Sequence, residues 1–397
     1  MDTFSWSHTE LDFYTFDPQG DVLLKLFRRY EKEELNEPDS ETSSITAEEE
    51  DPDTFPGSDN VSTQETPTMD IDPLNDAATA SDAGQSVAFL NQPVHMRVSS
   101  RHLMLASPVF AAMLDRYKFK EGATLHAEGR VEIELPDDDP DAFAILLNVV
   151  HGHTRMVPRK VSVNTLTQIA VLVNKYHMLE VLEVFSDLWI RRLSKKGLPD
   201  SYDIYRQEVM SWLFISWVFE KPKIFKPMTR LMIQRAPHSL LEHDLEFDPP
   251  IPDTLLDVIK ERRMEAIDSL LSVIDTLINK YITEEYQCAP VDSTSDPIEL
   301  AYSFACDSMF LGSLIKASAR IGIWPLPEKP FGGIAFDTLA GQIREMDLKS
   351  KCDGNLKGYY IKHACHGVRA HIVESVKALE RGICGLDLKD FKKFGPG

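Results

Sequence analysis

The sequence predicts an α+β fold: a small sheet with a helical cluster, broken by a long acidic insertion and followed by an all-α C-terminal region. Three observations predict it. VHMRV at 94–98 and VEIEL at 131–135 alternate apolar and polar residues, as half-buried strands do. From about 196 onward apolar residues recur at helical spacing with almost no alternation. Between 33 and 86 stand sixteen Asp or Glu, no Lys or Arg, and one aromatic, Phe55.

The elements follow in order. DVLLKLF at 21–27, after the turn DPQG, is rich in Leu and Val and reads as a strand. The segment 33–86 cannot bury enough apolar surface to offset the entropy of ordering it, so disorder is expected there. Order resumes near Val87. In 94–98, Val94, Met96 and Val98 share one face and His95 and Arg97 the other. The stretch 100–106 reads as a short helix, and Ser107-Pro108 restarts one, with Ser as N-cap and Pro at the first helical position. Phe110, Met113 and Leu114 form its buried stripe. After the strand at 131–135, an Asp cap, Pro140 and the later Gly152 frame a helix carrying Phe143, Leu146, Leu147 and Val150. Helices are expected at 162–176, with Leu166, Ile169, Val173 and Tyr176 inward, and at 180–193, with Leu182, Phe185 and Trp189. Beyond 196, helices are expected at 206–219, 227–235, 253–281, 297–322, 336–346 and 363–381, with a loop at 325–333. No internal repeat is visible. Trp212, Phe214, Trp217 and Phe219 read as core of the helical region.

Charge narrows the class of partner. The net charge is −21, and setting aside the sixteen acids of 33–86 leaves about −5. That balance disfavours nucleic acid, whose recognition needs clustered cations, and anionic membrane. No uninterrupted apolar run reaches about 18 residues, so no membrane helix is expected. The five cysteines (Cys288, Cys306, Cys352, Cys365 and Cys384) and an N-terminus without a leader pattern point to a reducing intracellular setting, nucleus or cytoplasm being indistinguishable.

A series of residues across the first half carries a resemblance. Asp21 with Val22 matches the opening of a first strand. Ser100 and Arg101 stand where a His-Lys pair is usual. Leu103, Leu105, Ser107 and Phe110 match a Leu…Ser-x-x-Phe pattern. Phe143, Leu146 and Leu147 match a Phe-x-x-hydrophobic-hydrophobic helix, here ending in His151-Gly152-His153. Tyr176 matches the Tyr of an Ala-x-x-Tyr helix. This ordered series resembles the BTB/POZ domain, in the form of its fungal branch, over about 1–30 and 87–193. The resemblance divides the chain into 1–30, first part of the module; 31–86, acidic insertion; 87–195, remainder of the module; and 196–397, helical region. The insertion then falls where the family has a short hairpin turn, and loop closure cost grows slowly enough to tolerate it. The resemblance implies protein–protein interaction without catalysis, with a homodimer as one mode. It implies a charged pair between Asp21 and Arg101. It also offers Phe119-Lys120-Glu121 as the hydrophobic-x-Glu motif that binds a cullin ubiquitin-ligase scaffold, against the reading that Phe119 caps a core and Glu121 is a solvated charge.

Other chemistry finds little support. No nucleotide-binding, nucleophile-elbow or H-E-x-x-H pattern occurs. Asp137, Asp138, Asp139 and Asp141 read as a helix cap and dipole complement more than as a cation site. Cys352, His363, Cys365, His366, His371 and Cys384 are zinc-ligand types, but no C-x-x-C occurs and their spacing suits no single helix face. A zinc-binding or enzymatic C-terminal half is therefore the lesser alternative, and no cofactor is expected. The basic runs 155–160 and 191–196 read as solvated surface.

Overall fold

The computed structural model describes residues 12–31, 89–236, 249–283, 285–288, 297–353 and 367–392, with 30–31, 89–91 and 202–205 given by backbone alone. The chain divides into two compact units, Met1–Glu10 with Arg28–Gln92, and Leu11–Phe27 with Pro93–Gly397. Of the first unit, only strand ends at 28–31 and 89–92 are described. The second holds all the described helices. Apart from Glu31, the acidic segment 31–86 lies outside the described residues up to position 86, and its expected disorder with it.

A small mixed sheet is followed by a large helical region. Its strands are β1 (Asp12–Thr15), β2 (Val22–Glu31), β3 (Phe89–Val98) and β4 (Val131–Glu134), in the spatial order β1-β3-β2-β4. β1 runs parallel to β3, with Asp12 beside Val94. β4 runs parallel to β2, with Val22 beside Val131 and Lys25 beside Glu134. Ser100, just past β3, bonds Asp21, just before β2, so these two strands are antiparallel. Val22, Leu24, Leu26, Val94, Met96 and Val98 are at most 1% exposed. They are the alternate residues of two paired strands, which is how a sheet buries one face.

The three strands expected at 21–27, 94–98 and 131–135 are present, and β1 is an addition. DFYT is short, and Phe13 and Tyr14 are both exposed. Its pairing is set by the turn that follows, not by alternation. That turn is closed by Gly20, whose N–H donates to Asp17 O at 2.9 Å. A Cβ on Gly20 would stand 2.6 Å from Val98 O, so the close approach of turn and strand requires glycine here.

Six helices complete the region around the sheet: α1 (Ser100–Ala106), α2 (Pro108–Met113), α3 (Lys120–Glu128), α4 (Pro140–Val150), α5 (Val163–Tyr176) and α6 (Leu179–Ser194). The starts of α2 and α4 follow the expected Ser and Asp caps, and α5 is capped by Ser162 as well. Ser107 Oγ accepts from Phe110 N at 3.1 Å, Asp139 Oδ1 from Ala142 N at 2.7 Å, and Ser162 Oγ from Thr165 N at 3.0 Å. α3 is not visible in the sequence. KEGATLHAE is mostly polar and contains glycine, and the helix forms because its N-terminal turn packs against the end of α2.

Beyond 196 lie α7 (Tyr202–Val218), α8 (Pro222–Arg235), α9 (Asp253–Ile282), α10 (Pro297–Arg320), α11 (Phe336–Arg344) and α12 (Val368–Gly382). α8 starts at Pro222, a turn before the expected 227. Pro222 takes the first helical turn, where its missing N–H costs nothing, and Pro227 falls inside the helix. Residues 363–366 of the last expected helix lie outside the described residues.

One continuous hydrophobic core runs from Phe16 through the sheet and α1–α8 to Ile259, and takes in Leu388. Trp212, Phe214 and Phe219 are buried in it, and α7 packs directly on α5. The helices after 196 therefore close onto the preceding module, a point the sequence leaves open. A second core, from Ile267 to Val376, gathers α10, α11 and α12 around the C-terminal half of α9.

Arg263 stands on α9 between the cores and is 0% exposed. Its guanidinium donates to four backbone carbonyls: Ala236 at 2.8 Å, Pro330 at 3.1 Å, Phe331 at 2.8 Å and Ile334 at 2.5 Å. α10 is long and apolar enough, by length and composition, to cross a membrane, with a mean hydropathy of 1.3 over its best window. This departs from the expectation of no such helix, because a window average tolerates charges that an uninterrupted-run test rejects. One side of α10, with Cys306, Asp307, Phe310 and Leu314, is buried in the protein.

Candidate functional site

An open groove of about 1660 Å³ lies along β4 and the start of β2, walled by α2 and α3. Four of the five residues singled out in the sequence line it: Asp21, Phe119, Lys120 and Glu121. Arg101 does not line it.

The chain reaches the groove through a tight local design. After α2 the loop turns on Asp115, whose carboxylate accepts from Tyr117 N at 2.9 Å. Tyr117 is 85% exposed and Phe119 54% exposed. The reading of Phe119 as a core cap is thus incorrect in this structure. Phe119 is extended (φ −134°) and is the N-cap residue of α3, without a side-chain cap. Glu121 lies in the first turn of α3, where a carboxylate suits the helix dipole, and its side chain is 3.7 Å from Lys120 Nζ. Gly122 is buried, and a Cβ there would stand 2.2 Å from Asp115 O. The side-chain-free face of Gly122 is what seats α3 against the end of α2 and so fixes where Phe119 projects. Phe13 on β1, 53% exposed, lines the same groove. The walls carry both signs of charge, among them Arg97, Lys120, Arg130, Glu121 and Glu132.

The charged pair expected between Asp21 and Arg101 is not formed. Asp21 Oδ1 accepts from Ser100 N and Oδ2 from Ser100 Oγ, both at 2.7 Å. Arg101 points into solvent. The physical reason is the shape of α1. Ser99 makes no side-chain cap, so the first N–H of α1 needs an acceptor from elsewhere, and Asp21 supplies it across the sheet. The Ser100 hydroxyl takes the second carboxylate oxygen. Arg97 Nε donates to Gly20 O at 2.9 Å and closes the same corner.

His151 backs this corner. Its Nε2 accepts from Ser99 N at 3.1 Å and its Nδ1 donates to Leu147 O at 2.9 Å, which fixes the neutral ring with the proton on Nδ1. Burial holds its pKa below the ordinary histidine value, and the rings of His102 (4.9 Å) and His153 (6.4 Å) add to that direction. Asp138 stands just before the start of α4, the helix that His151 ends, and is 4% exposed. It accepts from Lys175 Nζ at 2.7 Å and from the Tyr176 hydroxyl. Asp139, its neighbour, caps α4, which accounts for these two acids without a cation. Of the basic runs, Arg192 is anchored on Arg159 O, and Trp189 Nε1 on Pro158 O at 2.8 Å. Comparison with family models, with curated proteins and with solved structures finds no match for this chain.

Proposed function

We propose that this chain is a non-catalytic protein–protein interaction protein acting through a BTB/POZ-like module, with self-association as its mode. The observation that carries this reading is the placing of two phenylalanines, Phe13 and Phe119, each more than half exposed, at one groove. Large apolar side chains held in solvent beside a concave surface are what a protein interface core uses. Leu105 on α1, 87% exposed, and Met104 beside it are further exposed apolar residues of the module, outside the groove lining. The order of strand, helix pair, strand and helix cluster, together with the residue series ending at Tyr176, supports the BTB/POZ-like reading of the module.

Sedimentation of the full chain tests it. The chain is expected to sediment as a dimer at about 10 μM, and Leu105→Glu with Phe119→Ala to sediment as a monomer with an unchanged melting temperature. A wild-type chain that stays monomeric at about 100 μM rejects self-association.

A second reading, an adaptor for a cullin ubiquitin-ligase scaffold, draws support from the exposure of Phe119 next to Glu121 at the start of α3. It expects Phe119→Ala with Glu121→Lys to abolish co-purification with a cullin. Co-purification that survives both changes removes this reading and leaves the first intact.

A further inference from the structure

Three cysteines that share no local spacing motif meet in space. Cys288 follows α9, Cys306 lies on the buried side of α10, and Cys352 sits in a 3-10 turn at Lys351–Asp353. They are 64 and 46 residues apart in pairs. Cys352 Sγ lies 3.4 Å from Cys288 Sγ and 3.4 Å from Cys306 Sγ, and all three sulfurs lie within 4.8 Å of one another. Cys288 and Cys306 are 0% exposed.

These separations are too long for a disulfide bond, about 2.05 Å. They are close to the roughly 3.8 Å between sulfurs that a tetrahedral cation imposes with Zn–S bonds of about 2.3 Å. The surroundings hold the arrangement in place. Asp307, 7% exposed, accepts from Gln287 N at 2.7 Å and from Cys288 N at 3.1 Å, which pins the segment that presents Cys288. The Tyr302 hydroxyl donates to Lys351 O at 3.2 Å and fixes the turn that presents Cys352. The Lys351 ammonium lies 5.2 Å from the Tyr302 ring, a positive charge one residue from the cluster.

We propose that Cys288, Cys306 and Cys352 are ligands of a structural zinc ion. Zinc suits an all-thiol set because thiolate is soft and the d10 ion accepts a compact tetrahedron. On binding, each thiol releases its proton to solvent and each sulfur donates an electron pair to the cation. No electron is transferred. Three thiolates leave the centre with one net negative charge, and water or one further donor fills the fourth corner. Because each thiol must lose its proton to bind the cation, zinc binding strengthens as pH rises. Of the six zinc-ligand types singled out between 352 and 384, Cys352 alone enters this cluster among the described residues. Cys384 is exposed elsewhere, and His363, Cys365 and His366 lie outside the described residues.

The test uses the full chain, purified under reducing conditions without chelator. Elemental analysis is expected to find one zinc per chain. Cobalt substitution is expected to give a thiolate-to-cobalt charge-transfer band in the near ultraviolet. Cys306→Ser and Cys352→Ser are expected to lower zinc to about a tenth of an equivalent, while Cys384→Ser keeps it. Should a serine variant fail to fold, the wild-type chain still decides, through its zinc content and through a fall in melting temperature on strong chelation that added zinc reverses. Zinc below about a tenth of an equivalent with no cobalt band overturns the proposal. So does a disulfide between two of the three cysteines in the reduced preparation, or stoichiometric copper or iron in place of zinc.

Discussion

Replacing Arg263 by Met removes the guanidinium at the junction of the two cores and keeps much of the side chain's length. In the wild-type chain that group serves four carbonyls, those of Ala236, Pro330, Phe331 and Ile334, from a position with no solvent exposure. A hydrogen bond to a charged group contributes about 1.5–3 kcal/mol, and a buried acceptor left without a donor costs about 1–3 kcal/mol. Against this, Met no longer requires a charge to be taken out of water, a saving of several kcal/mol. The carbonyls prevail because they belong to backbone that cannot turn away. Net destabilisation of about 3–5 kcal/mol is expected, the cost of up to four carbonyls left without donors less the desolvation saved. Arg263→Lys should fall between, since one ammonium cannot reach both Ala236 and the 330–334 loop. Urea unfolding followed by tryptophan fluorescence and by circular dichroism reads the change as a shift in midpoint at unchanged slope. A Met variant as stable as the wild type would refute the reasoning, because it would mean the four carbonyls find other donors.

Three further predictions follow from the first core. Gly122→Ala should destabilise the chain by about 1–3 kcal/mol through overpacking against Asp115 O and should loosen α3, read as faster hydrogen exchange at 120–128; unchanged exchange would show that α3 is seated by other contacts. Tyr176→Phe keeps the ring stacked on Phe110 at 4.6 Å but takes a donor from buried Asp138, so a loss of about 1–3 kcal/mol in thermal or urea unfolding is expected. In the fold burial holds the His151 pKa below the ordinary histidine value of about 6.5 that the unfolded chain keeps. The unfolded state therefore takes up more protons below that value. The stabilisation from neutral His151 is complete above pH 6.5 and is lost as pH falls through the lowered folded pKa. The difference in melting temperature between wild type and His151→Asn should shrink below pH 6.5, and a difference constant from pH 8 to 5 would contradict this.

What the sequence made legible is what local chemistry controls. Alternation marks β3 and β4 because one face of each is buried, and a Leu- and Val-rich run after a turn marks β2. Ser107 and the Asp before Pro140 mark helix starts because an N-cap acts within three residues. β1 escaped notice because its four residues are placed by the Asp17–Gly20 turn and by β3, not by their own pattern. α3 escaped because its driving contact is a glycine against backbone. At the groove, residue types picked from a family pattern converge, but the Asp21–Arg101 pair fails because Asp21 is claimed by the N-terminus of α1. The cysteine cluster had no sequence signal. Its members lie 64 and 46 residues apart, and local spacing singled out only Cys352 of the three, in a set around 365 whose spacing did not suit zinc.

The first core crosses position 196, and the chain returns to it near its far end. Leu386 N donates to Thr229 Oγ1 at 2.9 Å, Lys392 Nζ donates to Trp217 O at 2.7 Å, and Phe391 meets the rings of Trp217 and Phe225. A fragment that stops at 195 would bare the side of α5 that α7 covers, and one that stops before 383 would uncover α8. Baits cut at either place would display raw interior to every protein around them. Their catch would report stickiness, and only the full-length chain offers a clean reading of which associations are native.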